Sequence, residues 1–197
     1  MNDYREIEVK LYMPDLDTVR AHLEAADATL TAPRIYERNI RYDDAAHTIT
    51  GQGVVLRLRQ DTRARLTYKS DGKLLDNGLF SRFEAEVTVS DFEAMDTILR
   101  HLGFETAFIY EKYRTTYTLD AAEVVLDEMP FGNFVEIEGD EASIVRALDR
   151  LALNDAPRYD AGYAMLFDTV RRNLGLTFRD LTFENFASIA VPETAFK

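Results

Sequence analysis

The chain has 197 residues and a formal net charge of -12, with 46% hydrophobic and 29% charged residues. These values are ordinary for a globular protein and argue against extensive disorder, and the length suits a single domain with a buried core. The acidic balance disfavours generic binding to nucleic acid or to anionic membranes. Because the chain has no cysteine, disulfides, thiolate metal sites and thiol nucleophiles are excluded.

The first residues lack the basic and apolar regions of a signal peptide, and no apolar run approaches the roughly 20 residues that cross a bilayer. We therefore expect a cytoplasmic protein with no membrane partner and no nucleic-acid partner. The histidines, His22, His47 and His101, lie far apart in the sequence without metal-ligand spacing. We expect them to be structural or at the surface.

The first predicted strand, Glu6-Ile7-Glu8-Val9-Lys10, alternates charged and apolar residues, which places its charges on one face. An amphipathic helix is predicted over residues 14–23, and the aromatic and β-branched segment 35–42 predicts a second strand. The same series recurs as an acidic strand at 83–89, a helix at 91–102 and a strand at 109–114. A partial third copy starts with a strand at 134–139, and a helix follows it through residues 144–151.

Between these copies, residues 54–59 and 65–69 predict a hairpin, and residues 123–128 predict a short strand. The Gly-Gln-Gly segment at 51–53 predicts a turn, because the Gly-Lys-Ser/Thr of a phosphate-binding loop does not follow it. The total is about eight strands with inserted helices, an α+β fold. Because closure leaves no exposed strand edge, we expect an eight-stranded antiparallel β-barrel with helices packed on its outside.

Charged residues occupy alternate positions on strand after strand. A solvated outer face explains this pattern on any one strand. In a closed barrel with helices over its apolar outer face, however, the charged rows point into the lumen, where they must compensate one another or hold an ionic ligand. Clustered carboxylates suit hard divalent cations, and clustered Arg and Lys suit phosphate oxygens. The rows therefore predict a site for a metal-complexed polyphosphate.

The segment Glu6-x-Glu8-x-Lys10 resembles the ExExK signature of the CYTH family, the triphosphate tunnel metalloenzymes. This family includes class IV adenylyl cyclases, thiamine triphosphatases and inorganic triphosphatases. Further segments resemble family motifs in the same order along the chain: Leu56-Arg57-Leu58-Arg59, Leu66-Thr67-Tyr68-Lys69, Arg82-x-Glu84-x-Glu86, Lys112-x-Arg114, Asp127 and Gly132-x-x-x-Glu136-x-Glu138. The resemblance covers roughly residues 4–170 and implies an antiparallel tunnel that binds triphosphate compounds with Mg2+ or Mn2+.

The resemblance also implies roles for individual residues. The metal ligands would be Glu6, Glu8, Asp127, Glu136 and Glu138. The phosphate-binding residues would be Lys10, Arg57, Arg59, Lys69, Arg82, Lys112 and Arg114, and the catalytic group would be Glu6, Glu8, Lys10 and Lys69. Glu84 and Glu86 either hold metal or orient the basic groups, and Arg41 either enters the tunnel or is solvated.

We take residues 1–175 as the tunnel domain. Residues 176–197, which include Phe178, Phe183 and Phe186, are predicted to form a tail that packs on this domain or on the partner subunit of a possible homodimer.

Two reactions fit such a site. In hydrolysis, water attacks the terminal phosphorus; in cyclisation, a ribose hydroxyl attacks the α-phosphorus of ATP and pyrophosphate leaves. Because the sequence has no adenine-reading signature, we expect metal-dependent hydrolysis of a triphosphate compound, inorganic tripolyphosphate or thiamine triphosphate. A class IV adenylyl cyclase is the alternative, and a non-catalytic module that binds nucleotide or polyphosphate is a weaker one.

Overall fold

The computed structural model describes residues 4–197, so residues 1–3 of the predicted tunnel domain lie outside the described part. Within that part, eight strands pair antiparallel in the closed order β1-β5-β4-β3-β2-β6-β7-β8, and β8 returns to β1. The strands are β1 (Arg5–Tyr12), β2 (Thr29–Asp43), β3 (Val55–Gln60), β4 (Ala64–Leu74), β5 (Phe80–Val89), β6 (Glu105–Leu119), β7 (Ala122–Met129) and β8 (Gly132–Glu138). The prediction of eight antiparallel strands closed into one ring is confirmed.

The helices are α1 (Leu16–Ala25), α2 (Thr48–Gly51), α3 (Phe92–His101), α4 (Glu141–Arg150), α5 (Tyr163–Leu174) and α6 (Phe183–Phe186), followed by a 3-10 turn at Glu193–Phe196. Asp15, Asp91 and Asp140 cap α1, α3 and α4, because each side chain accepts a hydrogen bond from a backbone N–H of the first turn. These three helices were predicted; α2, α5 and α6 were not. No helix within residues 4–197 is both long and apolar enough to cross a bilayer.

The helices cover part of the apolar outer face of the ring in three clusters, while Tyr68 of β4 and Phe83 and Val87 of β5 stay exposed. Helices α1 and α4 pack on β1, β7 and β8 through residues that include Val19, Ile144, Val9 and Ile137. Helix α3 covers β2 and β3, and α5 covers the region of β6 and β8 together with the C-terminal segment. The charged residues that alternate with this outer face point inward and line the cavity of the ring.

Strands β2 and β6 extend to 15 residues each, well beyond the predicted segments. The early part of β2 contains Pro33, which has no N–H for the sheet ladder and argues against a strand. The pairing of β2 with β6 accommodates it through register shifts between Leu30 and Ile35. The alternation of apolar and polar residues does not reveal irregular pairing of this kind, so the sequence did not predict the full length of the two strands.

The C-terminal segment after residue 175 lies against the ring. Leu181 N donates to Ile109 O at 2.9 Å, and Glu111 N donates to Leu181 O at 3.0 Å, on the stretch of β6 that precedes its pairing with β7. Phe186 and Phe196 are buried in the same cluster as Phe167 of α5. The segment therefore helps to hold β6 and α5 together.

Candidate functional site

The ring encloses a cavity of about 280 Å³ whose wall is mostly charged. Nine Lys or Arg residues line it against seven Glu residues, so the wall is net positive when all of them are ionised, although the whole chain carries -12. The lining contains Glu6, Glu8, Lys10, Arg41, Arg57, Arg59, Arg65, Lys69, Arg82, Glu84, Glu86, Tyr110, Lys112, Arg114, Glu123, Glu136, Glu138 and Tyr163, among others. Every predicted site residue except Asp127 is in this lining.

Glu6 is the centre of one ion-pair cluster in the wall. Its carboxylate accepts hydrogen bonds from Lys69 Nζ and from Arg82 Nε, both at 2.7 Å. Lys69 also pairs with Glu84 at 2.8 Å, and Arg82 reaches Glu8 at 3.4 Å. Burial alone would raise the pKa of Glu6, but Lys69 and Arg82 lower that pKa to about 2. Glu6 is therefore ionised at neutral pH.

A second cluster joins β1, β6, β7 and β8. Glu136 pairs with Lys10 at 3.2 Å and with Arg114 at 2.6 Å. Burial opposes ionisation of Glu136, yet the cations, led by Lys10, hold its pKa well below the usual range. Because Lys10, Arg114 and Glu136 all line the cavity, an incoming anion would meet the two cations already held in place.

Asp127 lies behind this second cluster, outside the cavity lining. It is completely buried and accepts hydrogen bonds from Lys112, Arg114 and the hydroxyl of Tyr163. Three donors on one carboxylate leave little room for a metal ion. The contacts suit a residue that positions Lys112 and Arg114, whereas the predicted role of Asp127 as a metal ligand has no support in this geometry.

Tyr163, the first residue of α5, closes part of the cavity wall. The ammonium of Lys10 lies 4.7 Å from the centre of its ring and that of Lys112 lies 5.5 Å away, distances at which cations are attracted to an aromatic face. Helix α5 thus contributes a lining residue that also fixes two of the basic side chains.

A third cluster surrounds Arg57 and Arg59 on β3. Arg57 donates to Thr67 Oγ1 at 3.1 Å and lies 3.6 Å from Glu86, while Arg59 pairs with Glu37 at 3.3 Å. Glu37 also lies 3.6 Å from Lys112. Glu86 contacts Arg57, Arg65 and Thr67, which matches the orienting role that was one of its two predicted alternatives.

Arg41 enters the cavity wall, which settles where its side chain lies. Its guanidinium donates a hydrogen bond to the carbonyl of Val54, at 3.4 Å, and no carboxylate within residues 4–197 lies at ion-pair distance from it. Burial lowers the pKa of its guanidinium. The Nε atoms of Arg41 and Arg57 are both buried without a hydrogen-bond partner in the described chain. Buried donors of this kind are costly unless a ligand accepts from them.

Carboxylates gather at another part of the wall. Glu138 pairs in register with Glu8 and with Glu123, and no basic side chain within residues 4–197 forms an ion pair with it. Burial, together with the negative charges of Glu6, Glu84 and Glu123, raises the pKa of Glu138 to about 8. A hard cation would relieve this repulsion. Even so, no group of three or more acidic or histidine side chains in the described chain is arranged to bind a metal ion.

Several lining or supporting residues were not singled out from the sequence: Glu37, Arg65, Tyr110, Glu123 and Tyr163. Four of these share the alternation of a predicted residue on the same strand: Tyr110 lies two positions before Lys112, and Glu37, Arg65 and Glu123 lie four positions before Arg41, Lys69 and Asp127 respectively. Extending the period-two pattern along each strand would have found them. Tyr163 lies on a helix outside every motif, and no strand pattern points to it.

Comparison with known proteins agrees with this architecture. A protein of Vibrio parahaemolyticus provisionally assigned as an adenylate cyclase has a TM-score of 0.70 at 19% identity, with 85% of this chain and 99% of that chain covered. A Pyrococcus horikoshii protein has a TM-score of 0.64 at 24% identity, covering 82% and 97% of the two chains. A Hippeastrum protein provisionally assigned as an adenylyl cyclase, with a dominant triphosphatase activity, has a TM-score of 0.61 at 20% identity, covering 83% and 95%.

At these identities the similar structures establish the fold alone. A search of curated proteins found no match. The CYTH domain family, in contrast, matches the sequence itself over residues 4–153, which include every strand and the charged rows of the cavity wall. This chain therefore belongs to the CYTH domain family.

Proposed function

We propose that this chain hydrolyses a triphosphate compound, inorganic tripolyphosphate or thiamine triphosphate, with Mg2+ or Mn2+ as cofactor. The observation that carries the proposal is a cavity wall that contains two guanidinium groups without a close carboxylate partner in the described chain: Arg41 has none at ion-pair distance, and Arg57 has only Glu86 at 3.6 Å. A net positive, enclosed wall suits a polyanion, because charge-assisted hydrogen bonds to phosphate oxygens offset its charge.

The basic residues divide into two groups by their present contacts. Lys10, Lys69, Arg82, Lys112 and Arg114 are held by carboxylates, so their positions are set before a ligand arrives. Arg41 has no such partner and Arg57 only a distant one at 3.6 Å. The first group would provide a preorganised positive field, and the second would give the strongest new contacts.

The donor set fits a divalent cation by its chemistry. Glu6, Glu8, Glu136 and Glu138 provide carboxylate oxygens, the ligands that Mg2+ and Mn2+ prefer, and Glu138 sits among carboxylates whose repulsion a cation would offset. Since Mg2+ is usually held by one or two carboxylates plus substrate phosphates, these residues would hold it together with the triphosphate. When bound, the cation would offset negative charge on the phosphoryl oxygens.

The residues of the chain would act mainly through position and charge. Arg and Lys side chains would hold the phosphoryl groups and stabilise the charge that develops on the departing oxygen while water attacks in line. Tyr163 and α5 would limit the access of bulk water at one part of the wall, because Gly162, Tyr163 and Ala164 line it.

The experiment is a product analysis with purified protein. Tripolyphosphate, thiamine triphosphate and ATP are each incubated with Mg2+, with Mn2+ or with EDTA, and phosphate, pyrophosphate and cyclic AMP are resolved. We expect phosphate release that needs the cation. Cyclic AMP with pyrophosphate as the main products would instead assign the chain as an adenylyl cyclase. Tight binding of tripolyphosphate without any product would assign a binding module.

A further inference from the structure

Two tyrosines line the cavity in opposite electrostatic surroundings. The hydroxyl oxygen of Tyr110, on β6, accepts a hydrogen bond from Arg57 Nη1 at 3.2 Å. The hydroxyl of Tyr163, on α5, donates to Asp127 Oδ2 at 2.8 Å. Tyr110 therefore faces a cation and Tyr163 faces a carboxylate. Where two similar groups have such opposed surroundings, their proton affinities separate, and this separation indicates their chemical roles.

Cations approach Tyr110 from each strand that packs against its hydroxyl. They are Arg57 and Arg59 from β3, Lys112 from β6 and Arg41 from β2. Two carboxylates contact these cations: Glu86 pairs with Arg57, and Glu37 pairs with Arg59 and Lys112. Burial alone would raise the pKa of Tyr110, but the cations, led by Arg57, lower it to about 8. Burial and the negative charge of Asp127 raise the pKa of Tyr163 well above its usual value.

The ring of Tyr110 is fixed in place. It stacks on Phe108 with 5.4 Å between ring centres, and Phe108 stacks on Phe167 of α5 at 5.9 Å. The backbone on either side of Tyr110 is hydrogen-bonded to Leu181. The hydroxyl is therefore held in the cavity wall with its oxygen toward Arg57, and it is not free to turn away when a substrate enters.

We propose that Tyr110 is a catalytic residue that accepts a proton from the attacking water. The proposal rests on the hydrolysis proposed above. The water oxygen forms a bond to the terminal phosphorus, the bond from that phosphorus to the bridging oxygen breaks, and the leaving pyrophosphate takes the electron pair. The water proton passes to the phenolate oxygen of Tyr110 and then to solvent. Arg57 stabilises the phenolate before the transfer.

The other lining groups are less suited to this task, including Glu138, whose pKa is also about 8 but whose carboxylate is proposed above to hold the divalent cation. No histidine lines the cavity within residues 4–197. Glu6 and Glu136 are ionised but held by two cations each, and their low pKa values make them weak bases. The hydroxyl of Tyr163 already donates a hydrogen bond to Asp127, and its raised pKa keeps it protonated. Tyr110 combines access to the cavity with a proton affinity near the working pH, where general bases are most effective.

The test compares Tyr110→Phe with the matched control Tyr163→Phe, since each removes one hydroxyl from a buried ring in the cavity wall. The pH dependence of kcat/KM for tripolyphosphate with Mg2+ reports groups of the free enzyme. The wild type should show a rise with an apparent pKa near 8. Tyr110→Phe should lose this rise and about a hundred-fold or more in kcat, while Tyr163→Phe should keep the rise.

A second readout does not need activity. Absorbance of the tyrosinate ion near neutral to alkaline pH should show a group that titrates close to pH 8 in the wild type and in Tyr163→Phe but is missing in Tyr110→Phe. If no triphosphate is hydrolysed by the wild type, the proposed function fails. If the wild type is active but Tyr110→Phe keeps the alkaline rise, or if its absorbance titration matches that of the wild type, the assignment of Tyr110 fails while the hydrolase stands.

Discussion

Lys69 and Glu6 are joined at 2.7 Å, although β4 and β1 are not neighbours in the ring and β5 runs between them. The contact reaches across β5 on its inner face, where Arg82 and Glu84 of β5 complete the cluster. Charges from three strands are thereby balanced before any ligand enters. A bound ligand must replace some of these ion pairs. The effect of substituting a charged residue on stability and on binding should therefore depend on the ion pairs that this residue makes in the ligand-free protein.

Arg41→Gln should weaken tripolyphosphate binding without lowering the melting temperature of the ligand-free protein. Arg41 is half-buried, its Nε is fully buried, and it has no ion-pair partner in the described chain, so its charge costs free energy until an anion binds. Loss of one charge-assisted contact, about 1.5–3 kcal/mol, should raise Kd about ten-fold or more. Calorimetry and thermal melting measure the two effects.

The control for Arg41→Gln is Arg150→Gln, which removes a half-exposed arginine paired with Asp120 on the outside. It should change neither quantity measurably. A marked fall in melting temperature for Arg41→Gln with unchanged Kd would show that the guanidinium serves the fold and not the ligand.

Asp127→Asn should lower the stability of the fold, whereas Glu138→Gln should lower the response of the protein to a divalent cation. Asp127 accepts from three donors, so its neutralisation leaves buried cations uncompensated and should cost about 3–5 kcal/mol in the free energy of unfolding. Glu138 faces other carboxylates, so its neutralisation should not lower stability but should remove the response of the protein to Mg2+ or Mn2+. Urea unfolding with and without the cation measures both; equal losses of stability would contradict these roles.

Glu37→Gln should reduce the dependence of stability on acid pH. Arg59 and Lys112 contact Glu37; against the effect of burial, which raises its pKa, the cations lower it from 4.5 to about 2. A carboxyl with a lowered folded pKa stabilises the protein above its unfolded pKa, and this contribution is lost as pH falls through the folded pKa. The free energy of unfolding of Glu37→Gln should be lower than that of the wild type by on the order of 3 kcal/mol at pH 7 and by about half that at pH 3.

Urea unfolding at pH 7 and pH 3 checks the Glu37 prediction, with Glu24→Gln as the control at an exposed carboxyl on α1. The control should track the wild type at both values. A gap for Glu37→Gln that is the same at both pH values would contradict the account, because it would mean that charge on Glu37 does not carry the stabilisation.

Much of the cavity wall could be read from alternation. Glu6, Glu8 and Lys10 share a face because side chains alternate along a strand, and the apolar alternates Ile7 and Val9 are buried under helices as expected. The same reasoning covers Arg57, Arg59 and the acidic strand β8. Alternation is enough to predict these positions, because on each strand of the ring one set of side chains faces the cavity and the other set faces outward.

Other features depend on contacts that alternation does not encode. Asp127 follows the same inward period as Glu123 yet lies outside the lining, because Tyr163 of α5 covers it. The docking of α5 is a tertiary event that joins residues 36 positions apart. The environment of Tyr110 depends likewise on arginines from β2 and β3, which the pairing of β2 with both β3 and β6 brings close to it.

The most direct test of the account is whether the tunnel binds triphosphate and a divalent cation as one unit. Thermal melting is measured with Mn2+, with tripolyphosphate, with both, and with both plus EDTA. At ligand concentrations near a hundred times Kd, the two together should raise the melting temperature by about 5–10 °C, well beyond the sum of the separate shifts, and EDTA should remove the excess. Glu8→Gln should melt like the wild type but lose the excess and the turnover. A combined shift no larger than the sum of the separate shifts would contradict the account and leave a barrel whose charges only balance one another.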